Sequence, residues 1–290
     1  LALQPAPIQV DCGSLATLGM AQVQYRLTDH CLDPLDTQAH YLEEFVYLPG
    51  GSICYRPAEN TPPVGPCPVL DNGYITFGSF NSRLKLNDHV ISLWSQVLKA
   101  VPESRLLLKF PGSHDSIMTD DVRERFRAQG IAGERVLIKG YCRSYEEHMR
   151  CYHALDIALD TYPFNGGITS LEGLWMGVPL ISLVGERFAL RTGLQVLSQL
   201  DMGFLAAHSP EEYLAKARAL AGQRESLATL RASLRARMQA SPLCDSQRYT
   251  REMEAAYRMM WQRYCAEATG NGIPRASICG CPASEGESRL

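Results

Sequence analysis

The stretch that decides the fold is residues 159–179, LDTYPFNGGITSLEGLWMGVP. It predicts a buried strand ending at Asp160, a glycine-rich turn, and a short helix that begins near Thr169. A helix N-terminus has unpaired N–H donors and a partial positive charge, so it stabilises an anion such as a phosphate. Gly166 and Gly167 leave room for the anion, and Thr169 can cap the helix or bond a phosphate oxygen. The alternative is that the glycines only turn the chain and Thr169 only caps.

Short apolar runs alternate with amphipathic segments on either side of this stretch, which is typical of a parallel sheet covered on both faces. Strands are predicted at residues 74–78, 105–110, 135–138, 156–159 and 179–183, and helices at 88–100, 120–129, 145–153, 169–176, 187–199, 209–221, 224–240 and 245–265. Arginines of helix 224–240 are expected to form a solvated face. The sequence therefore predicts a doubly wound, Rossmann-like α/β domain with its ligand at the carboxyl ends of the strands.

Two segments depart from this alternation. Residues 57–73 are rich in proline, which fits neither a helix interior nor a central strand, and they are interpreted as a linker. Residues 269–290 are poor in apolar residues and rich in Gly, Pro and Ser, which favours a disordered tail.

Composition narrows the range of partners. The 290 residues are 46% hydrophobic with a net charge of −3, so neither nucleic acid nor an anionic membrane is expected as a partner. No apolar run reaches the length of a membrane span, and we expect a cytoplasmic protein. The ten cysteines form no paired CxxC motif and are expected to be reduced thiols. Cys279 and Cys281 lack further metal ligands nearby, so no metal site is predicted.

Three side chains near the predicted strand ends can carry chemistry. Lys85 follows the first strand and can neutralise a leaving diphosphate, whose charge grows in the transition state. His148 can stack on or bond a base, and Glu172 can accept hydrogen bonds from a ribose. The alternatives are an exposed lysine at a helix start for Lys85 and a partly buried histidine satisfied by the backbone for His148.

Several ordered motifs together resemble the catalytic region of the protein O-GlcNAc transferase and SPINDLY-like glycosyltransferases, in its bacterial form. The resemblance spans about residues 3–264. It is carried by Phe80-Asn81 with Lys85, Glu146-Glu147-His148, Leu159-Asp160-Thr161, Asn165-Gly166, the run 174–179, and Gly185-Glu186-Arg187.

The resemblance implies a GT-B architecture with two facing Rossmann-like domains. Residues 1–56 then correspond to the remnant of an N-terminal catalytic half-domain, and residues 74–268 to the nucleotide-sugar-binding domain with its C-terminal helices. Lys85 is the expected catalytic residue. The expected donor-binding residues are Asn81, Ser82, Lys85, Arg143, Tyr145, His148, Asn165, Gly166, Gly167, Ile168, Thr169 and Glu172.

Three departures from the family pattern bear on the donor. Ile168 stands where the family usually has a first threonine, and Ser82 and Tyr145 replace a glutamine and a lysine of the animal enzymes. Family members also precede this region with the rest of the first domain and with TPR repeats. Both segments are therefore expected in a full-length protein.

The resemblance implies an inverting transfer of a sugar to Ser or Thr hydroxyls of a protein acceptor. The expected sugar is N-acetylglucosamine, with UDP-GlcNAc as the donor substrate and no cofactor. The alternatives are a non-catalytic or truncated module that binds a sugar nucleotide or a protein, and another GT-B activity such as a sugar-nucleotide epimerase.

Overall fold

A computed structural model describes residues 1–113, 115–140 and 142–269 of the chain. The strands are β1 (Val10–Asp11), β2 (Tyr25–Thr28), β3 (Glu44–Tyr47), β4 (Thr76–Ser79), β5 (Arg105–Lys109), β6 (Val136–Lys139), β7 (Ile157–Leu159), β8 (Leu180–Leu183) and β9 (Ala206–Ala207). The α-helices are α1 (Pro68–Asn72), α2 (Asp88–Ala100), α3 (Ser116–Ala128), α4 (Tyr145–Arg150), α5 (Ile168–Trp175), α6 (Thr192–Gln199), α7 (Pro210–Ala221), α8 (Arg224–Ala240) and α9 (Ser246–Ala268). Short 3-10 helices include Arg83–Lys85, Cys151–Ala154 and Phe188–Leu190.

The strands form two parallel sheets. The first has the order β1-β2-β3, and the second has the order β6-β5-β4-β7-β8-β9. In the second sheet the chain moves outward from β4 through β5 to β6, then returns to place β7 on the other side of β4. This arrangement confirms the predicted doubly wound sheet and puts the topological switch point between β4 and β7, where ligands bind in such sheets.

Apolar periodicity and local caps explain the helices. The predicted bounds of α2 and α8 agree with the structure, and Val90, Trp94 and Val97 of α2 are buried as their helical spacing predicts. Helix α3 begins at Ser116, four positions before the predicted start, because the Asp115 carboxylate accepts a hydrogen bond from the N–H of Ile117. The helix predicted at 187–199 is instead a 3-10 turn followed by α6.

The expectation of a solvated arginine face on α8 is wrong for Arg231. Its side chain is fully buried, and its guanidinium donates hydrogen bonds to the carbonyl oxygens of Gly65, Leu155 and Tyr152. The proline-rich segment 57–73 therefore lies against α8, and carbonyl oxygens of the segment accept hydrogen bonds from arginine side chains of α8. Pro68 also begins a helix, since the first helical position needs no N–H donor.

The last helix packs on the first sheet. Ala256 and Met260 of α9 form an apolar cluster with Tyr25, Leu27 and Val46 of β2 and β3. The domain limits given above stay a prediction. Helix α9, which ends the predicted domain 74–268, contacts the N-terminal sheet. The predicted tail lies, apart from its first residue, outside the described residues. Within the described ranges, no helix is long and apolar enough to cross a membrane.

Candidate functional site

The candidate site lies at the switch point, where the loop after β4 meets the turn between β7 and α5. The loop after β4 carries Asn81 and Lys85, and the turn ends at Thr169 in the first turn of α5. Asn81 Oδ1 accepts hydrogen bonds from Lys85 Nζ at 3.2 Å and from Thr169 Oγ1 at 3.1 Å. A single buried amide therefore joins the ammonium group to the helix start, although these residues are far apart in the sequence.

Lys85 is held from several sides. Its Nζ donates a hydrogen bond to the carbonyl oxygen of Asn165 at 2.7 Å and lies 4.1 Å from the ring centroid of Phe164. Partial burial lowers the pKa of Lys85, and the nearby Asp160 carboxylate opposes that shift. A cavity of about 450 Å³ adjoins it, lined by Ser82, Leu84, Lys85, Asn87, Pro163 and Phe164. The ammonium group is thus oriented beside an open space, which argues against a freely exposed lysine.

The start of α5 offers the donors that the sequence predicted. Among the described residues, no partner is found for the backbone N–H groups of Gly167, Ile168 and Thr169. Thr169 does not cap the helix, since its hydroxyl bonds Asn81 and the cap residue Gly167 has no side chain. These three N–H groups are therefore available to an anion.

The two glycines of the turn have different roles. A Cβ on Gly167 would meet no atom within 4 Å, so this side of the turn is open to a ligand. A Cβ on Gly166 would come within 2.2 Å of Ser170 Oγ and 3.2 Å of Asp160 Oδ1. Gly166 is thus required by packing within the turn, whereas Gly167 borders the space where a ligand can approach.

His148 and Glu172 contact each other directly. The Nε2 atom of His148 lies 2.9 Å from Glu172 Oε2, and Tyr152 donates a hydrogen bond to the same oxygen at 3.4 Å. Burial and the Glu172 charge hold the pKa of Tyr152 well above its usual value, so its hydroxyl stays a donor. Burial, followed by the same carboxylate, raises the pKa of Tyr145, which begins α4. The predicted base and ribose contacts thus form one connected group.

The remaining predicted residues hold the surrounding loops. Asn165 is buried, and its side-chain amide donates to the carbonyl oxygen of Thr161 at 3.0 Å. The Ser82 hydroxyl accepts from the N–H of Leu84 at the start of a 3-10 turn. Arg143 is exposed, and its backbone N–H donates to Glu147 at 2.7 Å. The structure brings Asn165 to the site through its carbonyl oxygen, and it shows no contact between the Arg143 side chain and the other site residues.

Two site residues were not predicted from the sequence. Asp160 is buried beneath the glycine turn, where its carboxylate accepts from the N–H of Gly166 at 2.6 Å and from Ser182 Oγ at 2.6 Å. Burial raises the pKa of Asp160 to about 6, against the effect of these hydrogen bonds. The second residue, Lys109, ends β5 and places its Nζ 2.7 Å from Nδ1 of His148. Asp160 comes at the end of a predicted strand and Lys109 is the last residue but one of the predicted strand 105–110, and this position near a strand end was the available signal.

The raised pKa of Asp160 predicts a pH-dependent stability. The folded chain binds a proton between about pH 4 and pH 6 that the unfolded chain does not bind, so the unfolding free energy falls as pH rises through this window. The variant Asp160→Asn lacks this titration. Relative to the variant, we expect the wild type to lose up to about 3 kcal/mol from the lower to the upper end of the window. Urea unfolding at both ends measures this loss, and parallel pH profiles would contradict it.

The described part of the chain contains neither a disulfide nor a group of side chains arranged to bind a metal. The eight cysteines within it are free, and Cys142 and Cys151 lie with their sulfur atoms 3.3 Å apart. No group of three or more His, Cys, Asp or Glu side chains among the described residues has metal-binding geometry. Cys279 and Cys281 lie outside those residues.

The region that contains the second sheet and the candidate site is similar to a known protein family. Residues 68–253 match glycosyl transferase family 41. The chain belongs to this family. Family 41 membership confirms the resemblance drawn from the sequence motifs, and the matched region contains every predicted donor-binding residue.

Plant proteins are among the similar family 41 relatives. The chain is 40% identical over 270 residues to the probable UDP-N-acetylglucosamine–peptide N-acetylglucosaminyltransferase SPINDLY of Oryza sativa subsp. japonica. It is 32% identical over 283 residues to the relative named SEC of Arabidopsis thaliana. These alignments cover 91% of this chain, but 29% of the rice protein and 28% of the Arabidopsis protein. The chain therefore spans less than a third of the length of these family 41 relatives.

Solved structures agree with the fold. A mutant of the O-GlcNAc transferase of Thermobaculum terrenum superposes with a TM-score of 0.85 at 32% identity, over 91% of this chain and 50% of that one. The sucrose-phosphate synthase of Thermosynechococcus elongatus gives a TM-score of 0.53 at 16% identity, over 83% of this chain and 59% of that one, which shows the fold alone. The GT-B type α/β fold expected for a family 41 protein is confirmed.

Proposed function

We propose that this chain is the donor-binding part of an inverting glycosyltransferase that transfers N-acetylglucosamine from UDP-GlcNAc to Ser or Thr hydroxyls of proteins. The SPINDLY and SEC relatives are named for UDP-N-acetylglucosamine as donor and a peptide as acceptor, and the Thermobaculum enzyme is named an O-GlcNAc transferase; these names support the proposal. These relatives are longer than this chain, and we propose that the full activity also uses segments outside it. TPR repeats and the rest of the first domain are proposed for those segments, and a cytoplasmic location is proposed for the whole protein.

The observation that carries the proposal is the joining of Lys85 and Thr169 by Asn81 Oδ1. It brings a fixed ammonium group and the free N–H groups of α5 to one place at the switch point. A diphosphate held there meets two sources of positive potential, so we propose that the reaction needs no metal or other cofactor. Negative charge grows on the diphosphate as the bond to the sugar breaks, so Lys85 stabilises the transition state more than the bound donor.

The other side chains complete a nucleotide site. Glu172 lies one helical turn after Thr169, where a carboxylate can accept from ribose hydroxyls. Tyr145 and His148 lie on α4 with ring centroids 6.2 Å apart and supply aromatic surface for a base. Ser82 lines the cavity beside Lys85, and we propose both Ser82 and Arg143 as weaker donor contacts.

Titration calorimetry combined with a transfer assay tests the proposal. The chain is titrated with UDP, UDP-GlcNAc and GDP-fucose, and a protein that contains it is incubated with UDP-GlcNAc and Ser/Thr peptides. Binding of UDP-GlcNAc together with a mass increase of one N-acetylhexosamine on the peptides is the expected result. Binding of GDP-fucose alone, or no binding of any nucleotide, would overturn the proposed donor.

A non-catalytic donor-binding module is the second candidate, and Ile168 favours it. Its side chain is 62% exposed at the start of α5, where a hydroxyl would otherwise bond a phosphate. An apolar side chain there removes one hydrogen bond from the donor. Saturable binding of UDP-GlcNAc without transfer to any acceptor would support this candidate over the enzyme.

The exposed position of Ile168 allows a gain-of-affinity test. Ile168→Thr adds a hydroxyl at the helix start without disturbing the core. One added hydrogen bond to phosphate is expected to tighten UDP binding by about three- to tenfold. The matched control is Ile117→Thr in the first turn of α3, where Ile117 is 79% exposed. Calorimetry should show tighter binding in the first variant only, and equal affinities in both would place the phosphate elsewhere.

A further inference from the structure

Three charged or polar side chains form a continuous chain of contacts from β5 to α5. Lys109 Nζ lies 2.7 Å from His148 Nδ1, and His148 Nε2 lies 2.9 Å from Glu172 Oε2. The Glu172 side chain is 8% exposed and that of His148 is 20% exposed, so water competes little for these contacts. Lys109 is not among the residues that the family resemblance assigns to the donor.

The chemistry of the two end groups fixes the proton on the imidazole between them. An ammonium group can only donate, so the Nδ1 atom that it contacts must be an acceptor. In neutral imidazole the other nitrogen then carries the proton, and Nε2–H donates to the Glu172 carboxylate. The hydroxyl of Tyr152 donates to the same oxygen. Only one tautomer of His148 satisfies both neighbours.

Aromatic rings hold the imidazole in its plane. The Tyr152 ring packs against it edge to face with centroids 5.5 Å apart, and the Phe80 ring lies 6.2 Å away. The Lys109 ammonium lies 5.7 Å from the Phe80 centroid. The ring therefore has little freedom to turn and exchange its two nitrogen atoms.

We propose that Lys109 is a positioning residue that fixes the Nε2–H tautomer of His148 and thereby orients Glu172 toward the donor ribose. The inference rests on the proposed function, since Glu172 acts there on the nucleotide. Because the Nε2–H group is committed to Glu172 and Nδ1 to Lys109, His148 offers the base its ring surface and no hydrogen bond. Lys109 itself does not touch the nucleotide.

The test compares Lys109→Met with Lys109→Arg, which retains a donor. In protein labelled with ¹⁵N-histidine, the ring nitrogens are recorded without nucleotide, and His148→Gln identifies the His148 signals among the seven histidines. The wild type should show an unprotonated Nδ1 and a protonated Nε2. In Lys109→Met, Nδ1 loses the donor that fixes the tautomer, so the signals of both ring nitrogens should move away from the wild-type pattern, and Lys109→Arg should restore it.

Binding is measured on the same proteins. We expect UDP affinity to fall about tenfold in Lys109→Met and to recover at least partly in Lys109→Arg. Lys99→Met is the matched control, because Lys99 is exposed at the C-terminal end of α2, at the opposite edge of the sheet. Unchanged His148 signals in Lys109→Met would overturn the proposal. If the wild type binds no UDP, the proposed function fails, yet the nitrogen signals still decide the role of Lys109.

Discussion

Replacing Lys85 by methionine is expected to lower the rate of sugar transfer by about 100- to 1,000-fold, which is typical for the loss of one oriented charge at a developing anion. Lys85 Nζ is fixed by Asn81 and Asn165, so its charge needs no reorganisation during the reaction. Methionine keeps the length and apolar stem of lysine. The rate of peptide glycosylation, measured on a protein that contains the whole chain, gives the effect.

The loss of rate should exceed the loss of affinity. UDP binding to Lys85→Met is expected to weaken by about tenfold, because the N–H groups of α5 still contact the diphosphate. Lys99→Met serves again as the control for the loss of one positive charge. If the variant transfers sugar at the wild-type rate, or loses rate and affinity equally, Lys85 does not stabilise the transition state more than the bound donor.

Replacing Arg231 by methionine is expected to lower the free energy of unfolding by about 3–5 kcal/mol. Three carbonyl oxygens, those of Gly65, Leu155 and Tyr152, would lose their donor, and the last two of these contacts are buried. The Asp156 carboxylate, whose pKa is raised by burial, would also lose a compensating positive charge. Urea unfolding followed by circular dichroism measures the change.

Arg237→Met is the matched control, since Arg237 is an exposed residue of the same helix whose guanidinium donates a hydrogen bond to the carbonyl oxygen of Leu200. Its effect should stay within about 1 kcal/mol. A variant Arg231→Met as stable as the control would show that water or another group satisfies the three carbonyls. The slope of free energy against urea concentration should be alike in both variants if each unfolds in one step.

The spacing of apolar residues along the sequence predicted most of the sheet and its helices, because buried side chains recur with the period of the helix or strand that carries them. It could not predict the burial of Arg231. An arginine usually faces water, but Arg231 lies on the buried stripe of α8 with Leu227, Leu234 and Met238, and its partner Gly65 is 166 positions away along the chain. The spacing also could not show that α9 packs on β2 and β3, because an apolar stripe on a helix does not indicate which sheet covers it.

The site was predictable to the extent that strand ends meet at one edge of a sheet. That rule brings Lys85 and Thr169 together, and the structure adds Asn81 Oδ1 as the atom that joins them. Side-chain pairing was not predictable. His148 and Glu172 were assigned to different parts of the nucleotide, yet their side chains contact each other across 24 positions of sequence. Lys109, at the end of β5, contacts His148 in turn.

The chain passes twice between its two sheets, and the two passages touch. The first leads from β3 toward β4 and the second leads from α8 into α9. They are joined where the N–H of Tyr55 donates to the carbonyl oxygen of Leu243 at 2.7 Å and where Tyr249 donates to the carbonyl oxygen of Ser52 at 3.3 Å. Because the two passages are hydrogen-bonded to each other, the two sheets are connected by a double link rather than by a single stretch of chain.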